Sequence, residues 1–342
     1  MTFPVTEQVL KTERHTTFYL ACGAEPAPLI VFVHGWPELS ISWRHQLPCF
    51  GSLGFRAAAP DMRGYGRSSV YARHEDYALE YAVADMVELL DALGREKAIW
   101  VGHDWGSPVV WSLASHHPER CFGVANLCVP YLAAGFAPRT LVPLVDRAVY
   151  PHEEYPAGQW DYQLFYEQSF EKANAAFEAN VRNTVKALFR KGNPNGRGKP
   201  SRTARVRRDG GWFGGAGQAP DLPLDSDVLT EADLQTYVAA LERTGFFGPD
   251  SWYMNQASNL AFAARAPSGG LLRMPVLFMH GEYDYTCETV ASSLAEPMRR
   301  DCANLTEVRV PSGHWMAQEK PVAVNAALAR WLAARFPELW AA

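Results

Sequence analysis

Long apolar runs are absent from this chain, and cysteine is sparse. Its six cysteines, at 22, 49, 121, 128, 287 and 302, include no Cys-x-x-Cys pair and no His/Cys spacing suited to zinc, so neither a zinc module nor a redox motif has a basis. Most sit in apolar segments and are expected to be reduced, buried thiols. Glu7, Lys11, Glu13 and Arg14 precede any long apolar stretch, so neither a signal peptide nor a membrane span is expected, and Leu339-Trp340-Ala341-Ala342 is not a peroxisomal address. Positive charge is in deficit as well. With 32 Lys and Arg against 37 Asp and Glu, the formal charge is −5, which gives no overall attraction to nucleic acid or to an anionic membrane. A dinucleotide fingerprint is also missing: Asp61-Met-Arg-Gly-Tyr-Gly-Arg-Ser68 contains Gly-x-Gly but opens no unit with a suitably spaced ribose acid, and reads as turn chemistry. These absences predict a cytoplasmic protein with no cofactor and no metal, as a monomer or weak homodimer.

Aromatic residues are plentiful. The chain of 342 residues is 48% hydrophobic, with 11 Trp, 14 Tyr and 17 Phe, enough for one large core with an elaboration on it. Residues 28–33, 55–59, 98–101, 123–129, 274–279 and 305–310 read as strands, several of them continuously apolar as in a sheet covered on both faces. Between them, helices are predicted around Trp43, Leu47 and Phe50, from an N-cap at Asp76 along the stripe Leu79, Val83, Met86, Leu90 and Leu93, over 107–117, near 288–298, and over 321–336. Such alternation makes a mostly parallel sheet with right-handed crossovers, and ligands then bind at the carboxyl ends of its strands. The alternation stops at 131–270, which is helical and aromatic and reads as a cap inserted into a core of 1–130 and 271–342. Within the cap, residues 191–217 are rich in Gly, Pro and Arg and read as a mobile, solvated loop without chemistry, because Trp212 and Phe213 follow the charges instead of interleaving with them.

The run Trp100-Val-Gly-His-Asp-Trp-Gly-Ser-Pro108 ends a strand and opens a helix. Gly102 and Gly106, two positions either side of Asp104, permit the tight turn that exposes a nucleophile. Asp104 stands where a serine hydrolase has its hydroxyl; a carboxylate is ionised near neutral pH and displaces a leaving group from saturated carbon, as in epoxides or alkyl halides. An N-cap aspartate is the plainer reading of the same residue. His314, after the last predicted strand, fits the base, and chain order then places the acid between Asp104 and His314. Asp284 fits at the end of the strand before it, with Glu282 as the rival; His34, His103 and His280 read as hydrogen-bonded core residues. The turn His34-Gly35-Trp36-Pro37 aims the Trp36 amide, with that of Trp105, at the reacting oxygen, although a simple turn looks similar. Opening an epoxide also requires a proton donor, and tyrosine stays protonated at neutral pH. The cap offers Tyr162 and Tyr253, and Tyr166 lies one helical turn from Tyr162.

Taken together, Gly102-His-Asp-Trp-Gly-Ser107, Asp161-Tyr-Gln-Leu164, Trp252-Tyr253 and Gly313-His-Trp-Met-Ala-Gln318 resemble the soluble epoxide hydrolases of the α/β-hydrolase superfamily, over nearly the whole chain. The resemblance implies the α/β-hydrolase fold with an inserted helical cap. It implies that Tyr162 and Tyr253 bind and protonate the epoxide oxygen, that Trp36 and Trp105 donate backbone amides, and that Gln163 joins these four at the substrate. The match to Asp-Tyr-Gln favours Tyr162 over Tyr166. The partners implied are a small apolar epoxide and water, giving a vicinal diol through an ester on Asp104 that His314 and Asp284 help hydrolyse. Hydrolysis is then expected to fail as His314 protonates, near a pKa of about 6.5 for an unshifted imidazole. A haloalkane or haloacid dehalogenase, or a non-catalytic ligand-binding protein of the same fold, are the alternatives.

Overall fold

The computed structural model describes residues 3–340, so the first two residues of the expected core and Ala341-Ala342 of the C-terminal tail lie outside it. Eight strands form one sheet: β1 Thr6–Lys11, β2 Thr16–Cys22, β3 Leu29–Val33, β4 Arg56–Pro60, β5 Ala98–His103, β6 Cys121–Leu127, β7 Leu272–Gly281 and β8 Cys302–Val310. Their order is β1-β2-β4-β3-β5-β6-β7-β8. From β4 to β8 every pairing is parallel, and only the β1–β2 hairpin and the β2–β4 contact are antiparallel. Every residue of β3 and β5 is buried, which accounts for their unbroken apolar character. The hairpin escapes the sequence pattern because Thr6-Glu-Gln-Val-Leu-Lys11 is a largely exposed edge with no apolar run.

Helices cover both faces. Leu79–Ala92 buries Leu79, Val83, Met86 and Leu90, but its N-cap is Ala78, not Asp76. Asp76 instead sits in the preceding turn His74–Tyr77 and takes two hydrogen bonds from Arg73. The helix read over 288–298 also starts later, as a short turn Ser293–Ala295 and then Glu296–Asp301. The Glu288 carboxylate accepts from the amides of Val290, Ala291 and Ser292 at 2.7–2.9 Å, and these side-chain bonds replace the helical ones. All six cysteines are free thiols, five of them buried.

Between β6 and β7 the chain leaves the sheet. Its longest helix there, Asp161–Glu178, carries Tyr162 and breaks at Ser169; the turn Trp252–Met254 carries Tyr253. This segment packs over the carboxyl ends of the strands: Trp252 donates its indole N–H to the Arg63 carbonyl at 3.2 Å, and the Ser42 and Tyr237 hydroxyls lie 2.6 Å apart. Among the described residues no helix is long and apolar enough to cross a membrane.

Candidate active site

The turn after β5 holds Asp104 at φ +49°, a left-handed conformation that is strained for a side chain with a Cβ. Close packing makes the strain possible. A methyl on Gly102 would strike Asn126 and Gly106, and one on Gly106 would strike the Val33 carbonyl, so β5 and the helix Gly106–His116 approach one another as only glycine allows.

Around this carboxylate three loops converge. The Trp36 amide, after β3, donates to Asp104 Oδ1 at 2.6 Å. His314, after β8, places Nε2 3.2 Å from Asp104 Oδ2. Its Nδ1 lies 2.7 Å from Oδ2 of Asp284, after β7, and Asp284 Oδ1 accepts from the amides of Thr286 and Cys287. Glu282, the rival acid, faces Arg197 at 3.7 Å instead. Trp105 follows Asp104 directly, but no hydrogen bond from its amide to the carboxylate is present among the described residues.

The electrostatics follow from burial and pairing. Burial pulls His314 toward the neutral form, yet the Asp284 charge and the hydrogen bonds to Asp104 and Asp284 outweigh it and hold its pKa well above 6.5. In the resting site the imidazole is therefore shifted from the reference value that its residue type alone supplies. Asp284 moves the opposite way, with burial opposed and overcome by His314, so its pKa lies below the usual carboxylate value.

Behind this constellation lies a second buried pair. His103 Nδ1 is 2.7 Å from Glu38 Oε2 and its Nε2 is 2.7 Å from the His314 carbonyl; Glu38 also accepts from the Gly35 amide at 2.9 Å. Burial opposes both charges, but each supports the other, placing Glu38 at about 2 and His103 at about 10. His103 is a hydrogen-bonded core residue, as read, and its pairing with Glu38 favours the charged imidazolium. Glu38 was missed, although its place immediately after His34-Gly35-Trp36-Pro37 was available as a signal. The donor sets His103–Cys128–His314 and Asp284–Cys287–His314 each lie within metal-ligand spacing, but their ring nitrogens and the Asp284 carboxylate are already engaged in these bonds.

Aromatic rings form the roof. Tyr162 and Tyr253 have ring centroids 5.6 Å apart, and Tyr253 lies 5.2 Å from Trp105 and 6.0 Å from Trp36. Burial pushes both phenols well above 10, with Asp104 adding to the shift. Gln163 Nε2 donates to the Tyr162 hydroxyl at 3.3 Å. Tyr166 stacks on Tyr253 at 4.3 Å, and its hydroxyl has no partner among the described residues. Two cap residues given no role in the sequence reading complete the roof. Asp250 Oδ1 accepts from the Trp36 indole at 2.9 Å, and burial holds that carboxyl well above the usual range. Trp212, from the segment read as solvated, packs among the site aromatics. The segment is held in place because Arg207 bonds Asp161 through its backbone amide and its guanidinium, at 2.8 and 2.6 Å.

Residues 28–321 match the model of the alpha/beta hydrolase fold family. Epoxide hydrolase A of Mycobacterium tuberculosis is 32% identical over 337 residues, covering 96% of this chain and 97% of that protein. Bifunctional epoxide hydrolase 2 of Sus scrofa is 34% identical over 316 residues, 92% of this chain; the chain spans 52% of that relative's length. Among solved structures, epoxide hydrolase A from Mycobacterium thermoresistibile superimposes with a TM-score of 0.79 at 30% identity, covering 96% of this chain and 98% of that one.

Proposed function

The chain belongs to the epoxide hydrolases of the alpha/beta hydrolase fold family, and from that premise we propose that it converts epoxides to vicinal diols through a covalent ester on Asp104. In this reading residues 131–270 are a cap over a core of 1–130 and 271–342. Asp104 attacks a ring carbon and the carbon–oxygen bond of the ring breaks. Tyr162 and Tyr253 hold the departing oxygen, which takes a proton. Both phenols suit that role because burial keeps them protonated.

Esterification removes the negative charge of Asp104, and with it one of the groups that keep a proton on His314. Loss of that proton balances the one taken up by the epoxide oxygen. Neutral His314, held by Asp284, then deprotonates the water that attacks the ester carbonyl; collapse of the adduct breaks the acyl carbon–oxygen bond, and the proton taken by His314 goes to the departing alkoxide, which leaves as the diol and restores the Asp104 carboxyl group. The tetrahedral oxyanion faces the Trp36 amide, a donor of a kind worth about 3 kcal/mol when removed from other enzymes, and the adjacent Trp105 amide is free to join it.

The carrying observation is the Asp284–His314–Asp104 chain, at 2.7 and 3.2 Å, ending on an aspartate where a serine would serve esters. A single turnover in oxygen-18 water tests it: the first diol emerges unlabelled and Asp104 gains the heavy atom. Label in that first diol would mean that water opened the ring directly, and chloride release from a haloalkane panel without diol formation would favour a dehalogenase.

A further inference from the structure

Residues 191–217 bring one side chain, Trp212, against the aromatic rings of the site. The Arg207–Asp161 bonds fix the segment to the start of the helix that carries Tyr162. Immediately beyond comes Gly210-Gly-Trp-Phe-Gly-Gly215, in which all four glycines have positive φ, from +64° to +142°. These conformations are open to glycine alone at no cost; a methyl on Gly214 would meet nothing within 4 Å, whereas one on Gly211 would touch Phe165 at 3.7 Å and one on Gly215 the Asp209 carbonyl at 3.3 Å, so the turn is open on its Gly214 side.

The Trp212 ring lies nearly parallel to that of Trp36, with centroids 5.7 Å apart, and at 5.4 Å from Tyr162 and 5.7 Å from Phe177. Beside it opens a cavity of about 930 Å³, lined by Leu188, Phe213 and Trp315 on one side and by basic side chains such as Lys191, Arg202 and Arg205 on the other, and reaching Asp284 and His314; Trp212 is one of its walls, while Asp104, Tyr162 and Tyr253 are not. A buried indole N–H ordinarily finds an acceptor. That of Trp212 has none among the described residues, so withdrawing the ring breaks no hydrogen bond.

We infer that Trp212 is a specificity-determining residue whose indole stands between this cavity and the aromatic cluster of Trp36, Tyr162 and Tyr253, and thereby limits the size of the epoxide substituent that reaches Asp104. The inference rests on the epoxide reading given above. An epoxide held by the two hydroxyls within reach of Asp104 has the indoles of Trp36, Trp105 and Trp212 around its substituents. A ring with one small substituent fits with the indole in place. A ring substituted on both carbons requires the glycine-flanked turn to carry the indole away.

The test compares kcat/KM for trans-1,2-diphenyloxirane with that for phenyloxirane. Trp212→Ala is expected to raise the ratio about tenfold or more, in the range that pocket size alone controls, and Trp212→Phe to raise it less. Should the alanine variant fail to fold, Trp212→Phe carries the test in the same direction. A ratio that stays within about twofold of wild type in the folded variants overturns the inference. Wild-type protein that makes no diol from either compound overturns the proposed function, and this inference with it; diol from the wild type with an unmoved ratio overturns this inference alone.

Discussion

The floor of the site and its roof are held by different forces. On the floor, Asp104, His314, Asp284, Glu38 and His103 stand at or just past strand ends and are joined by hydrogen bonds of 2.6–3.2 Å, with charge answering charge. In the roof, Tyr162, Tyr166, Tyr253 and Trp212 meet mainly through ring contacts with centroids 4.3–6.1 Å apart, and the hydroxyl of Tyr166 and the indole N–H of Trp212 have no partner among the described residues. A hydrogen-bonded charge network fixes geometry to a fraction of an ångström, whereas ring contacts tolerate sliding. The floor is therefore suited to chemistry that does not vary with the substrate, and the roof to shape that does.

The sharpest way to break this division is to disable each half and ask which step stops. His314→Gln should lower turnover about ten-thousandfold while leaving ester formation intact, so the intact-protein mass rises by one substrate and the adduct maps to Asp104. An adduct on any other residue would remove Asp104 from the scheme. Replacing Tyr162 and Tyr253 together with phenylalanine should lower turnover by about a hundredfold to ten-thousandfold, with no mass accumulating, because ring opening becomes slower than ester hydrolysis. Full activity in the double variant would transfer proton donation elsewhere.

The same contrast explains what could be read in the sequence. The strands β3 to β7 were legible because buried parallel strands are written as apolar runs, β8, a largely exposed edge, was legible only through the strand–helix alternation, and Asp104, Asp284 and His314 were legible because chain order along such a sheet limits where each can stand. The β1–β2 hairpin left no such trace, being exposed along one strand. Asp250 and Trp212 were illegible for another reason: their places depend on the path of the cap, which hydrophobic periodicity does not encode. Residues 191–217 have the composition of a solvated loop, and bonds to distant residues, those of Arg207 to Asp161, 46 positions away, and of Ser201 to Tyr150 and Thr286 among them, bring Trp212 inward. Glu38 falls between the cases, next to a motif already in view yet given no role.

The smallest expected effect is a displacement along the pH axis, and it separates floor from roof without a substitution in the roof. In the resting site His314 is pulled down by burial and up by Asp284 and Asp104, and the carboxylates win. A pKa raised on folding stabilises the native state fully below the unfolded value, near 6.5, and this support is lost as pH rises through the folded value; the resting imidazole should therefore titrate above 6.5 in a histidine NMR titration. Esterification neutralises Asp104 and leaves Asp284, so the acid limb of ester hydrolysis should lie below the resting value, and Asp284→Asn should move it lower still. The roof adds no opposing alkaline limb near neutrality, since burial carries both tyrosines well above 10. An acid limb coincident with the resting titration, or one indifferent to Asp284→Asn, would mean that His314 is not the group whose proton governs hydrolysis, and the charged floor would then position the ester without supplying its base.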